Sequence, residues 1–484
     1  MHLGQPLSLL LVGCAAAAFL VALHVGEGGT DLPRVSFSAA PSQEGLVTTL
    51  VDCHHPRGGY CVSQALRSEE DGSSDRQKPL VVFLHGFPDT LRTFVPQMKA
   101  LAESEEYDVI APAIRGYDTD RKPLPTDMSL YEAALDVRAM LMGIAEERLK
   151  RRSPGQSRGA DAVVKVHLVG HDWGSAVAQC VAKMIVAAPV DERRLVELRS
   201  VTLVSVPLLQ DLPRALLRHP TQLRHSWYMA FFQLPWLPEL WLRTRRPSSH
   251  HPGGKDAEEE AVMVLGGGIT ALLNSWGPKP YPSHRLVDIH RTLGNATGPL
   301  PSAAIGWYRA NCSPLLLLPG WAVSLCEWLA GSRPAFAKTW HLIFSTSTSR
   351  LSNSALKKKK GANSKNHKHQ KQSKKGAKRG VSPGAAAARG TYAAGAAISW
   401  SREVPVLMLV GEHDGCIPPA TYDAAAADYL DAHGAVVKAH VKHTVVPGAG
   451  HFVHWDTPEV FEELVFGFIA NASVPTEKST PPWR

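Results

Sequence analysis

Four short stretches carry side chains whose types and order suit covalent catalysis followed by hydrolysis. Gly170-His171-Asp172-Trp173-Gly174-Ser175 stands between an apolar run and a helical stretch. Glycines on either side of a central residue permit a sharp turn that lifts its side chain clear of the backbone. With Asp172 at the centre, the turn offers a carboxylate. A carboxylate nucleophile attacks saturated carbon and leaves an alkyl ester, whereas a serine there would perform acyl transfer. Taken alone, the same aspartate also reads as a cap of the following helix. Three further stretches weigh against that: His85-Gly86-Phe87-Pro88, Gly411-Glu412-His413-Asp414 and Gly448-Ala449-Gly450-His451. Together they supply an acid and a histidine downstream of the nucleophile. His451 is the expected general base that activates water, and Asp414 the acid that orients it.

Each stretch stands where an apolar run stops, so the elements that position them can be read outward from the site. Leu46–Cys53 and Tyr60–Leu66 are expected to form an early hairpin. Pro79–Leu84, Asp108–Ile114, Val163–Val169, Ser200–Val206, Val404–Val410 and Val436–Val445 are expected strands, with helices over Ser129–Lys150 and Ser175–Ala187. Short runs rich in β-branched residues, without polar alternation, fit strands buried on both faces. Alternation with helices implies an α/β fold whose mostly parallel central sheet is flanked by helices and gathers ligands at its carboxyl ends. Between Pro207 and Val404 the alternation breaks. Trp227–Leu242 (WYMAFFQLPWLPELWL) and helix-like pieces through Tyr308 predict a helical lid inserted between two strands. The expected organisation is an N-terminal segment over 1–30, core over 45–206, lid over 207–400, core over 401–475 and a tail over 476–484.

In HGFPDT, Arg115-Gly116-Tyr117, GHDWGS, GEHD and GAGH the chain resembles the α/β-hydrolase epoxide hydrolases, and more distantly the related dehalogenases. The likeness runs from about Leu46 to Ala470, leaving out 313–397. It implies an α/β-hydrolase fold and an oxyanion hole made by the backbone N–H groups of Phe87 and Trp173. It also implies two lid tyrosines that hydrogen-bond an epoxide oxygen: Tyr228 in YMAFFQ and Tyr308 in Trp307-Tyr308-Arg309-Ala310-Asn311. Pro88, Phe231 and Trp307 are expected to line the pocket, and Trp236, Trp241 and Trp276 to line or support an apolar lid. The implied reaction converts a lipophilic epoxide to a vicinal diol with no cofactor and no metal. Two alternatives stay open. A haloalkane dehalogenase would share Asp172, His451 and Asp414, but needs no phenol pair, and Phe87 stands where those enzymes often place a donor such as Asn. A non-catalytic, membrane-anchored binding protein on the same fold is the third reading, prompted by the large insertion after Tyr308.

The net charge of +8 points to nucleic acid only until it is located. Lys357–Arg379 holds ten Lys and one Arg and no acid, and without those eleven the remaining 41 basic residues face 44 acidic ones. The body therefore has no basic footprint, and no nucleic-acid partner is expected. The basic segment itself reads as a solvated low-complexity insertion, with anionic lipid headgroups as its functional alternative. The seven cysteines show no zinc spacing, and Cys53 and Cys61 flank a short loop that an oxidising lumen would let them bridge. The first 26 residues carry no Lys, Arg, Asp or Glu. That segment reads as a membrane anchor, with a removed signal peptide as the alternative. The corresponding location is an endomembrane such as the endoplasmic reticulum, or a lumenal or secreted one if the segment is cleaved.

Overall fold

The computed structural model describes residues 34–39, 46–54, 64–68, 78–117, 128–150, 163–188, 193, 195–243, 267–281, 289, 300–312, 400–422 and 441–473. Its centre is a sheet of nine strands in the order β1-β2-β3-β5-β4-β6-β7-β8-β9. These are β1 (Arg34–Ala39), β2 (Leu46–His54), β3 (Gln64–Ser68), β4 (Leu80–Leu84), β5 (Asp108–Pro112), β6 (Val164–His171), β7 (Val196–Val204), β8 (Val406–Gly411) and β9 (Val441–Val446). β1, β2, β3 and β5 pair antiparallel in series. From β5 through β4, β6, β7 and β8 to β9 every pairing is parallel. The expected strands are present with ends shifted by a few residues, and β1 is an addition.

The central strand explains why the sequence reads as a plain apolar run. All five residues of β4 are buried, because parallel crossovers place helices on both faces. Leu80, Val82 and Leu84 join one apolar cluster, and Val81 and Phe83 join the other, following the two-residue period of a strand. The first cluster packs against the helices Leu130–Lys150 and Trp173–Val186 and runs up into the lid. The second packs against Val95–Glu103 and Pro458–Ser473. Between β7 and β8 the described lid helices include Trp227–Phe231, Leu237–Arg243, Gly267–Asn274 and Leu300–Asn311.

Among the described residues, no helix is long and apolar enough to cross a membrane. The N-terminal segment, Cys61, Leu315–Leu329 and Lys357–Arg379 lie outside the described residues.

Candidate active site

Asp172 sits at the carboxyl end of β6, one residue before the helix Trp173–Val186. Its φ of 51° lies in the left-handed region, a costly conformation for a side-chain-bearing residue that is held only where the surroundings over-determine it. Those surroundings are identifiable. The Asp172 N–H donates to the Val204 carbonyl (3.1 Å) and the Ser175 N–H to the Asp172 carbonyl (2.9 Å). The Ser175 hydroxyl donates to the Gly170 carbonyl (2.6 Å) and accepts from the Val204 N–H (2.9 Å), riveting the turn to β6 and β7. Backbones also approach too closely for a side chain at two glycines: a Cβ on Gly174 would fall on the Leu84 and His85 carbonyls, and one on Gly86 against Asp172. Gly174→Ala should therefore destabilise the fold by about 3 kcal/mol, although the same change inside an open helix would stabilise it by up to about 1 kcal/mol. A urea midpoint equal to wild type would show that the turn can yield.

The loop after β4 delivers the first partner. The Phe87 N–H donates to Asp172 Oδ1 at 2.7 Å, and the Phe87–Pro88 peptide is cis. Pro88 is buried beside it. Phe87 is held from beneath by His85, whose Nδ1–H donates to the Gly86 carbonyl and whose Nε2 accepts from the Ile114 N–H. Burial lowers the His85 pKa to about 4, so it stays neutral in this role.

His451 arrives from the turn after β9. Its Nε2 lies 3.6 Å from Asp172 Oδ2, and its Nδ1 faces both oxygens of Asp414 at 3.0 and 3.1 Å. Asp414, at the end of β8, spends Oδ1 on the N–H groups of Cys416 (2.8 Å) and Ile417 (2.9 Å). The His451 backbone is fixed on both sides: its N–H donates to the Trp276 carbonyl, and its carbonyl accepts from Ser205 Oγ and His171 Nε2. Burial alone would push the imidazole pKa down, but the Asp414 and Asp172 carboxylates outweigh it and raise it to about 10. Burial also works against the Asp172 charge, yet His451 and the Phe87 N–H hold its pKa below the ordinary value.

A raised folded-state pKa stabilises the fold fully below the ordinary value of 6.5 and loses that contribution as pH rises through about 10. The melting-temperature advantage of wild type over His451→Gln should thus be largest near pH 6 and shrink by several degrees towards pH 10. A gap independent of pH would contradict this charge state.

The lid closes the site with aromatic rings. Tyr308 lies edge-on to Phe87 (5.2 Å between centroids) and to Trp173 (5.2 Å), and 5.6 Å from Tyr228. Tyr228 packs on Trp276 (5.2 Å), which in turn covers His451 (5.2 Å). Burial, then nearby negative charge, keeps both phenols protonated by raising their pKa well above 10. The Tyr308 hydroxyl, Trp173 Nε1 and His451 Nε2 are buried and have no hydrogen-bond partner among the described residues. Trp307 is anchored by Nε1–H to the Arg115 carbonyl (2.8 Å) and lies 5.6 Å from the Trp173 ring. Asn311 pins the same helix by donating to the Met128 carbonyl and accepting from the Leu130 N–H.

Three placements differ from the sequence expectation. Phe232, not Phe231, contacts Phe87, Tyr228 and Tyr308. Phe231 stands one layer out against Trp227 and Trp241, because it lies one turn after the exposed Trp227 whereas Phe232 lies one turn after the buried Tyr228. Trp236 lines nothing and is 69% exposed. Cys416 was not singled out, yet its Sγ lies 3.1 Å from the Tyr228 hydroxyl, and burial followed by the charge of Asp414 keeps it a neutral thiol. Its only sequence signal was a place two residues after the acid. Asp414, Cys416 and His451 also bring three ligand atoms within 4.8 Å of one another, but the Asp414 oxygens are engaged by His451 and two backbone N–H groups.

A family model described as the alpha/beta hydrolase family matches residues 81–464, most of the chain and every element of this site. The chain belongs to the alpha/beta hydrolase family. The motif likeness to epoxide hydrolases is borne out among the curated relatives of this alpha/beta hydrolase. Human epoxide hydrolase 4 is 29% identical over 176 residues, 36% of this chain and 41% of that protein. An AB hydrolase superfamily protein of Bacillus subtilis is 30% identical over 186 residues, 38% of this chain and 54% of its own length. This alpha/beta hydrolase thus spans only about half, or less, of the curated relatives it matches. Among solved structures, an epoxide hydrolase of Vigna radiata aligns over 92% of this chain and 100% of its own, at 15% identity and a TM-score of 0.44.

Proposed function

We propose that this hydrolase converts a lipophilic epoxide to a vicinal diol through an alkyl ester on Asp172. The observation that carries the reading is a carboxylate held by the Phe87 N–H and facing two neutral phenols, of which Tyr308 has no hydrogen-bond partner among the described residues. A carboxylate can displace at carbon, but an alkoxide leaves poorly unless a proton or donor meets it. Tyr228 and Tyr308 are the donors. Asp172 attacks a ring carbon, the C–O bond of the epoxide breaks towards the phenols, and the oxygen leaves as a hydroxyl.

The proton inventory then closes on His451. Before reaction, its raised pKa keeps it an imidazolium beside two carboxylates. The proton given up to the alkoxide is replaced, by way of the phenols, from that imidazolium. Esterification also removes the Asp172 charge, one of the causes that raised the pKa, so His451 is left neutral as the second step needs a base. It takes a proton from water, the water attacks the ester carbonyl, and Asp414 holds the renewed imidazolium. The intermediate then breaks its bond to the alkyl oxygen, which leaves as the second hydroxyl of the diol with the proton of the new carboxyl group, and Asp172 is again a carboxylate. The N–H groups of Phe87 and Trp173 stabilise the oxyanion of that step. Pro88 and Trp307 shape the apolar walls. The core is proposed to comprise 45–206 and 401–475 with 207–400 as the lid, and the enzyme to be membrane-associated through residues 1–30.

Single-turnover hydrolysis of lipophilic epoxides in oxygen-18 water tests this. The expected first-turnover diol lacks the label, and the label appears in the Asp172 carboxylate by peptide mass spectrometry. A labelled first diol would mean direct attack by water and would overturn the ester route. Absence of diol from a broad epoxide panel would overturn the activity.

A further inference from the structure

Of the seven exposed large apolar residues among those described, five fall within one short stretch of lid: Trp227 (49% exposed), Leu234 (44%), Trp236 (69%), Leu237 (38%) and Leu240 (54%). They form one face. Trp227 lies 6.2 Å from Trp241 and 6.0 Å from Phe231, and Phe231 lies 5.3 Å from Trp241, so the two short helices share an aromatic seam. Trp236 is the outermost, carried between Pro235 and Leu237 on backbone at φ 51°. A bulky residue in that conformation costs stability, and here the cost serves to project an indole into solvent instead of into the core. Single exposed apolar residues are ordinary, but a contiguous patch marks a surface meant to be covered.

The charge around the patch selects its cover. Among the described side chains of residues 212–243, the exposed charged ones are Arg218 and Arg224, and the one acid is Glu239. Glu239 is itself neutralised by a bidentate pair with Arg309. Arg224 is exposed three residues before Trp227. A second copy brought face to face would oppose one set of arginines to another. An anionic bilayer answers both features, taking Trp and Leu side chains at the headgroup boundary and the arginines at lipid phosphates.

We propose that the outer lid face from Trp227 to Leu240 docks into the headgroup region of an anionic phospholipid bilayer, so that substrate reaches the site from the membrane. Between patch and site stands a stack of rings that an entering substrate must displace: Phe231 lies 6.0 Å from Phe232, and Phe232 lies 4.9 Å from Tyr308, 5.7 Å from Tyr228 and 5.6 Å from Phe87. Docking stands on the surface alone; the delivery route rests on the epoxide reading above.

The test is amide exchange by mass spectrometry on the full-length protein, with vesicles of phosphatidylcholine alone or mixed equally with phosphatidylserine. Protection is expected over the peptide from Trp227 to Leu242, stronger with phosphatidylserine. It should weaken in a Trp236→Asn, Leu240→Gln protein, whose vesicle association should fall about tenfold or more; Asn tolerates the left-handed backbone. Protection confined to the N-terminal peptide would overturn lid docking. Protection that grows with protein concentration in the absence of vesicles would assign the face to a second copy and overturn it equally. Turnover separates the two claims. If wild type hydrolyses neither a water-soluble nor a bilayer-dissolved epoxide, the activity fails while docking is judged by exchange alone. If the double variant matches wild type on the bilayer-dissolved epoxide, the delivery route is overturned.

Discussion

His451→Gln protein mixed with an epoxide should stop at one equivalent of covalent adduct, with the mass of the epoxide added to the peptide that carries Asp172. Breaking the epoxide C–O bond draws on the carboxylate and the phenols; His451 restores the phenol proton only afterwards, a task left to water in the variant. Each group keeps its position because Asp172 is held by the turn and the Phe87 N–H and not by His451 alone. The second step loses its base. General-base removal costs on the order of 10² to 10⁴ in rate, and steady-state turnover should fall to the upper end of that range because His85 and His171, the other described histidines near Asp172, are both engaged in hydrogen bonds. His171 is the nearest histidine ring to His451, at 5.0 Å. It is unsuited to replace it: its Nε2 is spent on the His451 carbonyl, and burial followed by repulsion from His451 lowers its pKa to about 3. Full turnover without adduct would sink the two-step scheme, and loss of adduct formation in correctly folded protein would mean that ring opening itself requires the His451 proton.

Tyr228→Phe with Tyr308→Phe should lower the rate of esterification by an epoxide by on the order of 10⁴, while esterification by a primary alkyl bromide changes by no more than a few fold. The difference lies in the leaving group, since bromide departs as an anion without a proton and an alkoxide does not. Removing the hydroxyls keeps the ring packing against Phe87, Trp173, Phe232 and Trp276, so the fold should survive. Of the single variants, Tyr308→Phe should be the more damaging. Its hydroxyl has no hydrogen-bond partner among the described residues, whereas that of Tyr228 must first be released from Cys416. Equal losses on epoxide and bromide would assign the tyrosines a packing role. Undiminished release of halide, with no diol from wild type, would favour the dehalogenase, for which the unpartnered Trp173 indole N–H is a ready donor.

The parts of this site visible in the sequence are those fixed by the backbone. Gly170 and Gly174 signal the turn because close backbone approach excludes any other residue there, and the order of Asp172, Asp414 and His451 follows from which strands end beside which. Strand identity was legible for the same reason: β4 and β8 are buried on both faces and read as unbroken apolar runs. β1 was not legible, since RVSFSA at a sheet edge lacks such a run. Side-chain direction within the lid was legible only in part. Motif spacing marks Tyr228 and Tyr308, but choosing Phe232 over Phe231 required the helical offset, and the thiol of Cys416 beside Tyr228 depends on contacts between residues 188 positions apart. The outward turn of Trp236 follows from a backbone angle that no pattern of hydrophobic residues encodes.

β7 and β8 are neighbours in the sheet, with Val201 opposite Val406, yet the whole lid and residues 313–399 separate them along the chain. The entropy lost on closing a connection grows only with the logarithm of its length, by about 0.6 kcal/mol for each doubling. Residues 313–399 lengthen this connection by less than a factor of two, so they add less than about 0.6 kcal/mol to the cost of bringing His451 and Asp414 back to Asp172. A long, lysine-bearing segment can therefore be gained, lost or rewritten at this point of the chain with little thermodynamic consequence for the strands that hold the catalytic groups.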